Sequence, residues 1–180
     1  LAASRDFFRP MLNEDGTWNI KLTKESGRLN MQMLTAFLRG NEADVALANK
    51  LLRRSEIDWI GDKRFNIFQT SIACQHLGDS RDQLEPESIA WCEQVLEEGC
   101  SPLGMQGPDF QFWGYNDNMP AMAVKTLILT GEWLNKPELV ELGMWKLRGL
   151  AEQLSTFGLI AEYNSPNYTP DTIHNLMTLY

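Results

Sequence analysis

Charge is laid out along this chain in alternating blocks, and the blocks read as helices. Leu29 to Leu38 (LNMQMLTAFL) carries no Asp, Glu, Lys or Arg, and a helix that is neutral on every side belongs in an interior. Asn41 to Arg54 follows, with Asn41 as N-cap, Glu42 and Asp44 in the first turn and Lys50, Arg53 and Arg54 in the last, the order that the helix dipole favours. Leu47, Ala48, Leu51 and Leu52 draw an apolar stripe along this second segment, the pattern of a helix with one buried face.

The pair recurs. Phe65 to Gly78 is again free of Asp, Glu, Lys and Arg and ends on a glycine suited to the C′ position. Pro86 to Glu98 then sets Ile89, Cys92 and Leu96 in a stripe beside several glutamates. A third neutral segment, Met119 to Thr130, holds only Lys125, with Asn118 before it and Pro120 in the first turn. It leads through Gly131 into Pro137 to Leu154, which is amphipathic: Val140, Leu147, Ala151 and Leu154 lie on one side, Glu141, Arg148 and Glu152 on another. Thr169, Pro170 and Asp171 supply an N-cap, a proline at N1 and a first-turn acid for a fourth neutral helix, Thr172 to Tyr180.

These blocks predict an all-α fold of antiparallel helical hairpins, with the neutral helices in an inner layer and the charged ones outside. Residues 1–26 form an N-terminal extension, and residues 27–180 make about three and a half αα-hairpins in a single all-α domain. Tetratricopeptide-like solenoids would keep a period of about 34 residues. The neutral helices here start near Leu29, Phe65, Met119 and Thr172, at spacings of 36, 54 and 53, so the irregularity comes from loops.

The loops from inner to outer helices are short, while the reverse connections are long: Ser55 to Arg64, Gly99 to Asn118 and Ser155 to Asp171. Because hairpins alternate in direction, the long loops gather at one end of the layer, at the N-termini of the inner helices. Long loops on one face of a rigid scaffold are where binding and catalysis usually sit. Trp113, Tyr115, Tyr163 and Tyr168 offer flat amphipathic faces for stacking on sugar rings, and Asn116, Asn118, Asn164 and Asn167 offer hydrogen bonds to hydroxyls. Acids are interleaved: Asp109, Asp117 and Glu162, with Asp58 in the earlier loop.

Composition narrows the choice of partner. The 180 residues carry 24 Asp and Glu against 16 Lys and Arg, a net charge of −8. That field repels phosphate backbones and anionic lipid, so neither nucleic acid nor a membrane surface is expected as a partner and polyanionic substrates are disfavoured; the loop residues above point instead to an oligo- or polysaccharide substrate. The longest apolar run, Ala121 to Leu129, is interrupted by Lys125 and is far too short to span a bilayer. Cys74, Cys92 and Cys100 have no C-x-x-C spacing, and His76 and His174 are the only histidines, so no zinc site is expected. No other metal and no cofactor is expected either. The cysteines read as buried thiols, with a Cys92–Cys100 bridge as the alternative in an oxidising compartment.

Hydrolysis of a glycosidic bond needs one protonated carboxyl group to donate to the leaving oxygen and one ionised group to activate water or attack the anomeric carbon. Asp117 and Glu162 head consecutive inner helices and would converge across a cleft. Competing roles exist for each feature. Asp117, Asn118 and Asp171 also suit helix caps, Phe112 and Trp113 suit a lid over the core, and His174 within the last helix suits an interior structural histidine.

The inner and outer helix pairs, together with W-G-Y-N-D-N-M-P at Trp113 to Pro120 and E-Y-N-S-P-N-Y-T-P at Glu162 to Pro170, resemble the six-hairpin (α/α) toroid glycosidases and related polysaccharide lyases. The resemblance runs from about Leu29 onward. It implies a partial (α/α)6-type toroid with its site at the inner-helix N-termini, completed by the remaining half of the toroid or by a homo-oligomer. The hydrolases of that group use Asp/Glu pairs, matched here in position by Asp117 and Glu162. The lyases use an Asn to neutralise a uronate and a Tyr or His as base, for which Asn116, Asn164, Tyr163, Tyr168 and His174 would serve. Loop acids outnumber loop cations, and a uronate site would want cations, so the hydrolase reading leads. A non-catalytic sugar-binding or scaffold module is the third reading.

Overall fold

The computed structural model describes residues 2–20, 33–54, 63–100, 117–158, 165–166 and 168–180. In order these form α1 (Ala2–Phe8), a 3-10 turn (Arg9–Met11), α2 (33–38), α3 (Glu42–Arg54), α4 (Lys63–Asp79), a second 3-10 turn (Arg81–Gln83), α5 (Pro86–Gly99), α6 (Asn118–Trp133), α7 (Pro137–Phe157) and α8 (Tyr168–Met177). Among the described residues the fold is all-α, and the only extended pairing is an isolated bridge between Leu12 and Trp18. The chain divides into two compact units, Leu1–Gly61 with Gln75–Val95 and Asp62–Cys74 with Leu96–Tyr180.

In the first unit, α2 is buried almost all round, with Met33, Leu34, Ala36, Phe37 and Leu38 inside. α3 buries the stripe of Leu47, Ala48, Leu51 and Leu52 that its sequence marks out. Each fully buried leucine of this kind contributes ~1.5–3 kcal/mol. The N-terminus of α3 is closed by a reciprocal cap: Asp44 N–H donates to Asn41 Oδ1 at 3.0 Å and Asn41 N–H donates to Asp44 Oδ2 at 3.2 Å, so each side chain satisfies a backbone donor that the helix leaves open. Gly40 sits at this corner because a Cβ there would collide with the Asp44 carboxylate.

The second unit is organised by α6, whose residues from Pro120 to Ile128 are all buried. Met122, Ala123 and Leu127 of α6 pack with Leu139 of α7 and with Cys100. Two glycines bring α6 and α7 together. A Cβ on Gly131 would lie 2.6 Å from Val140 Cγ2, and one on Gly143 would lie 2.6 Å from Ile128 Cγ1. The turn between the helices is closed by Leu134 N–H donating to Thr130 O and Lys136 N–H donating to Gly131 O, with Asn135 at φ +52°, a left-handed conformation that Asn tolerates. Gly99 at the end of α5 likewise abuts Thr70 of α4, whose side chain would collide with a Cβ there.

Neutral composition predicts burial for α2, α4 and α6, and the structure agrees: Thr70, Ser71, Ala73, Cys74, His76 and Leu77 of α4 are buried as well. Other details differ. Gly78 lies inside α4, which runs on to Asp79 because Ser80 N–H still reaches His76 O at 3.0 Å. Gly131 lies inside α6, where it makes room for α7. α7 continues to Phe157 and ends on Gly158 at φ +68°, and its buried stripe is Leu139, Gly143, Lys146 and Leu150, with Ala151 exposed. Contact with α6 through Gly143 sets that phase. α8 is the largest departure from an inner helix. Its buried residues are polar, Thr172 and Asn175, while Ile173 and Met177 are 43% and 70% exposed. α8 packs on α6, and that contact rather than its own hydrophobicity decides which face is covered.

Candidate functional site

Of the residues the sequence nominates, Asp117, Asn118, Tyr168 and His174 are described. Asp109, Trp113, Tyr115, Asn116, Glu162, Tyr163 and Asn164 lie outside the described residues, as do Asp58, Phe112 and Asn167, so the pairing of Asp117 with Glu162 lies outside them too.

Asp117 occupies the N-cap position of α6, and its carbonyl accepts the first intrahelical bond, from Ala121 N–H at 3.0 Å. Its carboxylate makes no capping hydrogen bond, and the residue is fully buried. The neighbouring Asn118 takes the capping task, since its Oδ1 accepts from Met119 N–H at 2.8 Å, and Pro120 in the first turn has no N–H to satisfy. Capping therefore does not account for the Asp117 side chain. A buried carboxylate at a helix N-terminus sits where the backbone dipoles favour negative charge.

The interior along α6 is polar for a core. Lys125 is 3% exposed, and its Nζ donates to the Ser71 carbonyl of α4 at 3.3 Å. Thr126 Oγ1 donates to Met122 O at 2.7 Å, and Thr70, Ser71 and Thr130 are buried in the same unit. In the sequence Lys125 reads only as an interruption of an apolar run. Its burial is decided by tertiary packing, which places the Ser71 carbonyl of α4 where the ammonium can donate to it.

Tyr168 and His174 both lie on α8. Tyr168 opens the helix, where its N–H donates to Ser165 Oγ at 3.1 Å, and it is 47% exposed. His174 is exposed as well, which corrects the expectation of an interior histidine: the buried residues of α8 are Thr172 and Asn175 instead. Asp171 works within its own helix, its Oδ1 accepting from Asn175 Nδ2 at 3.2 Å.

The three cysteines are buried and form no disulfide. Burial pushes the Cys92 and Cys100 thiols up to about 12, so they stay protonated at neutral pH and do not act as nucleophiles. Burial also lowers the Lys146 ammonium from its usual range, with its Nζ 5.7 Å from the Trp145 ring centroid. Among the described residues no group of three or more His, Cys, Asp and Glu is placed to hold a metal ion, and no helix is long and apolar enough to cross a membrane. No family model, curated protein or solved structure matches the chain.

Proposed function

We propose that the chain is part of a carbohydrate-active enzyme, a glycoside hydrolase built on a partial (α/α)6-type toroid. Asp117 and Glu162 are its carboxylate pair at the inner-helix N-termini, and the remaining helices come from further toroid or from a second copy. The observation that supports this reading is the Asp117 carboxylate, buried at the head of α6, whose residues from Pro120 to Ile128 are all buried, and not used as its cap. One carboxyl group of the pair protonates the leaving oxygen and the other activates water or attacks the anomeric carbon. Trp113, Tyr115, Tyr163 and Tyr168 stack on the sugar, and Asp109, Asn116, Asn164 and His174 bond its hydroxyls.

The test is release of reducing ends from a panel of neutral and acidic glycans by the parent chain, Asp117→Asn and Glu162→Gln. Loss of about 10²–10⁴-fold in turnover in both variants, with glycan binding kept, is expected. Full turnover in either variant sinks the carboxylate pair. An unsaturated product absorbing in the near ultraviolet moves the assignment to a lyase. Binding without turnover in the parent chain moves it to a sugar-binding module.

A further inference from the structure

The N-terminal segment is attached to the first unit in an unusual way. Residues 2–20 form α1, the first 3-10 turn and a small looped hairpin, in which Asn13 N–H donates to Thr17 O at 2.8 Å and Asn19 N–H donates to Met11 O at 3.0 Å. Within these residues only Gly16 is buried. Phe7 is 62% exposed and Ile20 44%, while Phe8, Met11, Leu12 and Trp18 are half-buried, so no apolar side chain of the segment is fully buried.

Two arginines supply the attachment. Arg5 Nη1 donates to the carbonyls of Ala36 and Arg39 at 3.1 and 3.3 Å, closing the C-terminal end of α2. Its Nε lies 3.5 Å from Asp44 Oδ2, and Arg9 pairs with Asp44 Oδ1. The Arg9 guanidinium also stands over the Phe37 ring, 5.4 Å from its centroid. Asp44 is 3% exposed, so one buried carboxylate receives both cations and caps α3 as well. Farther along, Gly16 at φ +83° rests on α3, where a Cβ would come within 3.2 Å of Lys50 Cβ. Between segment and helix lies a cavity of about 480 Å³, with Arg9, Leu12 and Asn13 on one wall and Ala43, Leu47 and Lys50 on the other.

We propose that residues 2–20 are a strap latched electrostatically on Asp44, which undocks as a unit to open the Ala43–Leu47–Lys50 face of α3 while α2 and α3 remain folded. The physical basis is the mode of attachment. A segment held chiefly by ion pairs and backbone carbonyls, with a single fully buried residue, releases while uncovering only the flank of the core that it touches, at Phe37 under Arg9 and Leu47 beside Gly16. Release also returns Asp44 and both arginines to water, which offsets the loss of their pairing. The detached hairpin cannot hold its own hydrogen bonds, because an isolated hairpin is at best marginally stable in water.

The test is amide hydrogen exchange on the full chain carrying Arg9→Gln, and then Arg5→Gln with Arg9→Gln. Asn13 and Asn19 amides are expected to exchange about tenfold faster or more in the double variant, the factor given by losing about 1.4 kcal/mol of docking free energy. Amides of α3 and α6 are expected to keep their parental rates. Unchanged protection at Asn13 and Asn19 in the double variant overturns the latch. So does simultaneous loss of protection through α2 and α3, in Arg9→Gln alone or in a double variant that fails to fold, because the segment would then be part of the cooperative core.

Discussion

Asn49 Oδ1 accepts a hydrogen bond from the Glu85 backbone N–H at 2.8 Å, across 36 residues of sequence. The same amide donates through Nδ2 to Gln83 O and Val45 O, both at 3.0 Å. One buried side chain thus fastens α3 to the connection that leads into α5, and it does so from within an apolar stripe. Asn49→Ala leaves a donor and an acceptor of the 83–85 backbone without partners. The expected cost is about 2 kcal/mol of unfolding free energy, the low end of about 1–3 kcal/mol for each of two groups, since both bonds are only partly buried. Denaturant titration with an unchanged m-value checks it; a cost under about 0.5 kcal/mol would show that water serves these groups as well.

Two glycines of α7 are expected to respond in opposite directions. Gly143→Ala places a methyl within 2.6 Å of Ile128 Cγ1 and 3.1 Å of Ile128 N, and the backbone atom cannot move aside cheaply. It is expected to destabilise by about 1–3 kcal/mol. A methyl on Gly149 would meet nothing within 4 Å, and the position is exposed, so Gly149→Ala is expected to stabilise by about 0.5–1 kcal/mol through helix propensity. Thermal unfolding of the two variants against the parent chain decides both signs.

Thr172 Oγ1 is fully buried in α8, which packs on α6, and has no hydrogen-bond partner among the described residues. Replacing it by the nearly isosteric valine removes an unsatisfied polar atom and keeps the shape. Thr172→Val is therefore expected to raise stability by about 1 kcal/mol, read as a higher melting temperature. A lower melting temperature would mean that the hydroxyl is used.

The buried thiols make stability depend on alkaline pH. Cys92 and Cys100 are raised by burial from 9.0 to about 12, so the folded state holds protons that the unfolded chain gives up. Their contribution is complete below about pH 9 and declines as pH rises through the interval up to about 12. Stability measured by urea titration is expected to fall over that interval, and less steeply in Cys92→Ala compared with its own neutral-pH value. Native Cys92 and Cys100 are also expected to stay unlabelled by a thiol reagent at about pH 8 and to react once the chain is unfolded.

The sequence by itself determined the helical class and the burial of α2, α4 and α6, because removing charge from a segment removes the reason for it to face water. It also determined the inward stripe of α3 and the Asn41 cap, since both are set by spacing within a single helix. Only the tertiary structure decided which polar groups go inside. Asn49 is satisfied by residues 34 and 36 positions away, Lys125 by a carbonyl 54 positions away, and Asp44 by arginines in the N-terminal segment. No local pattern encodes such partners, which exist only once the chain has brought them together. The same reason shifted the buried stripe of α7, fixed by Gly143 against Ile128, and turned α8, which packs on α6, so that its buried residues are polar. Asp117 belongs to both accounts: its place at a helix start was legible in the residues around it, and its complete burial without a capping bond was decided by the packing of α6.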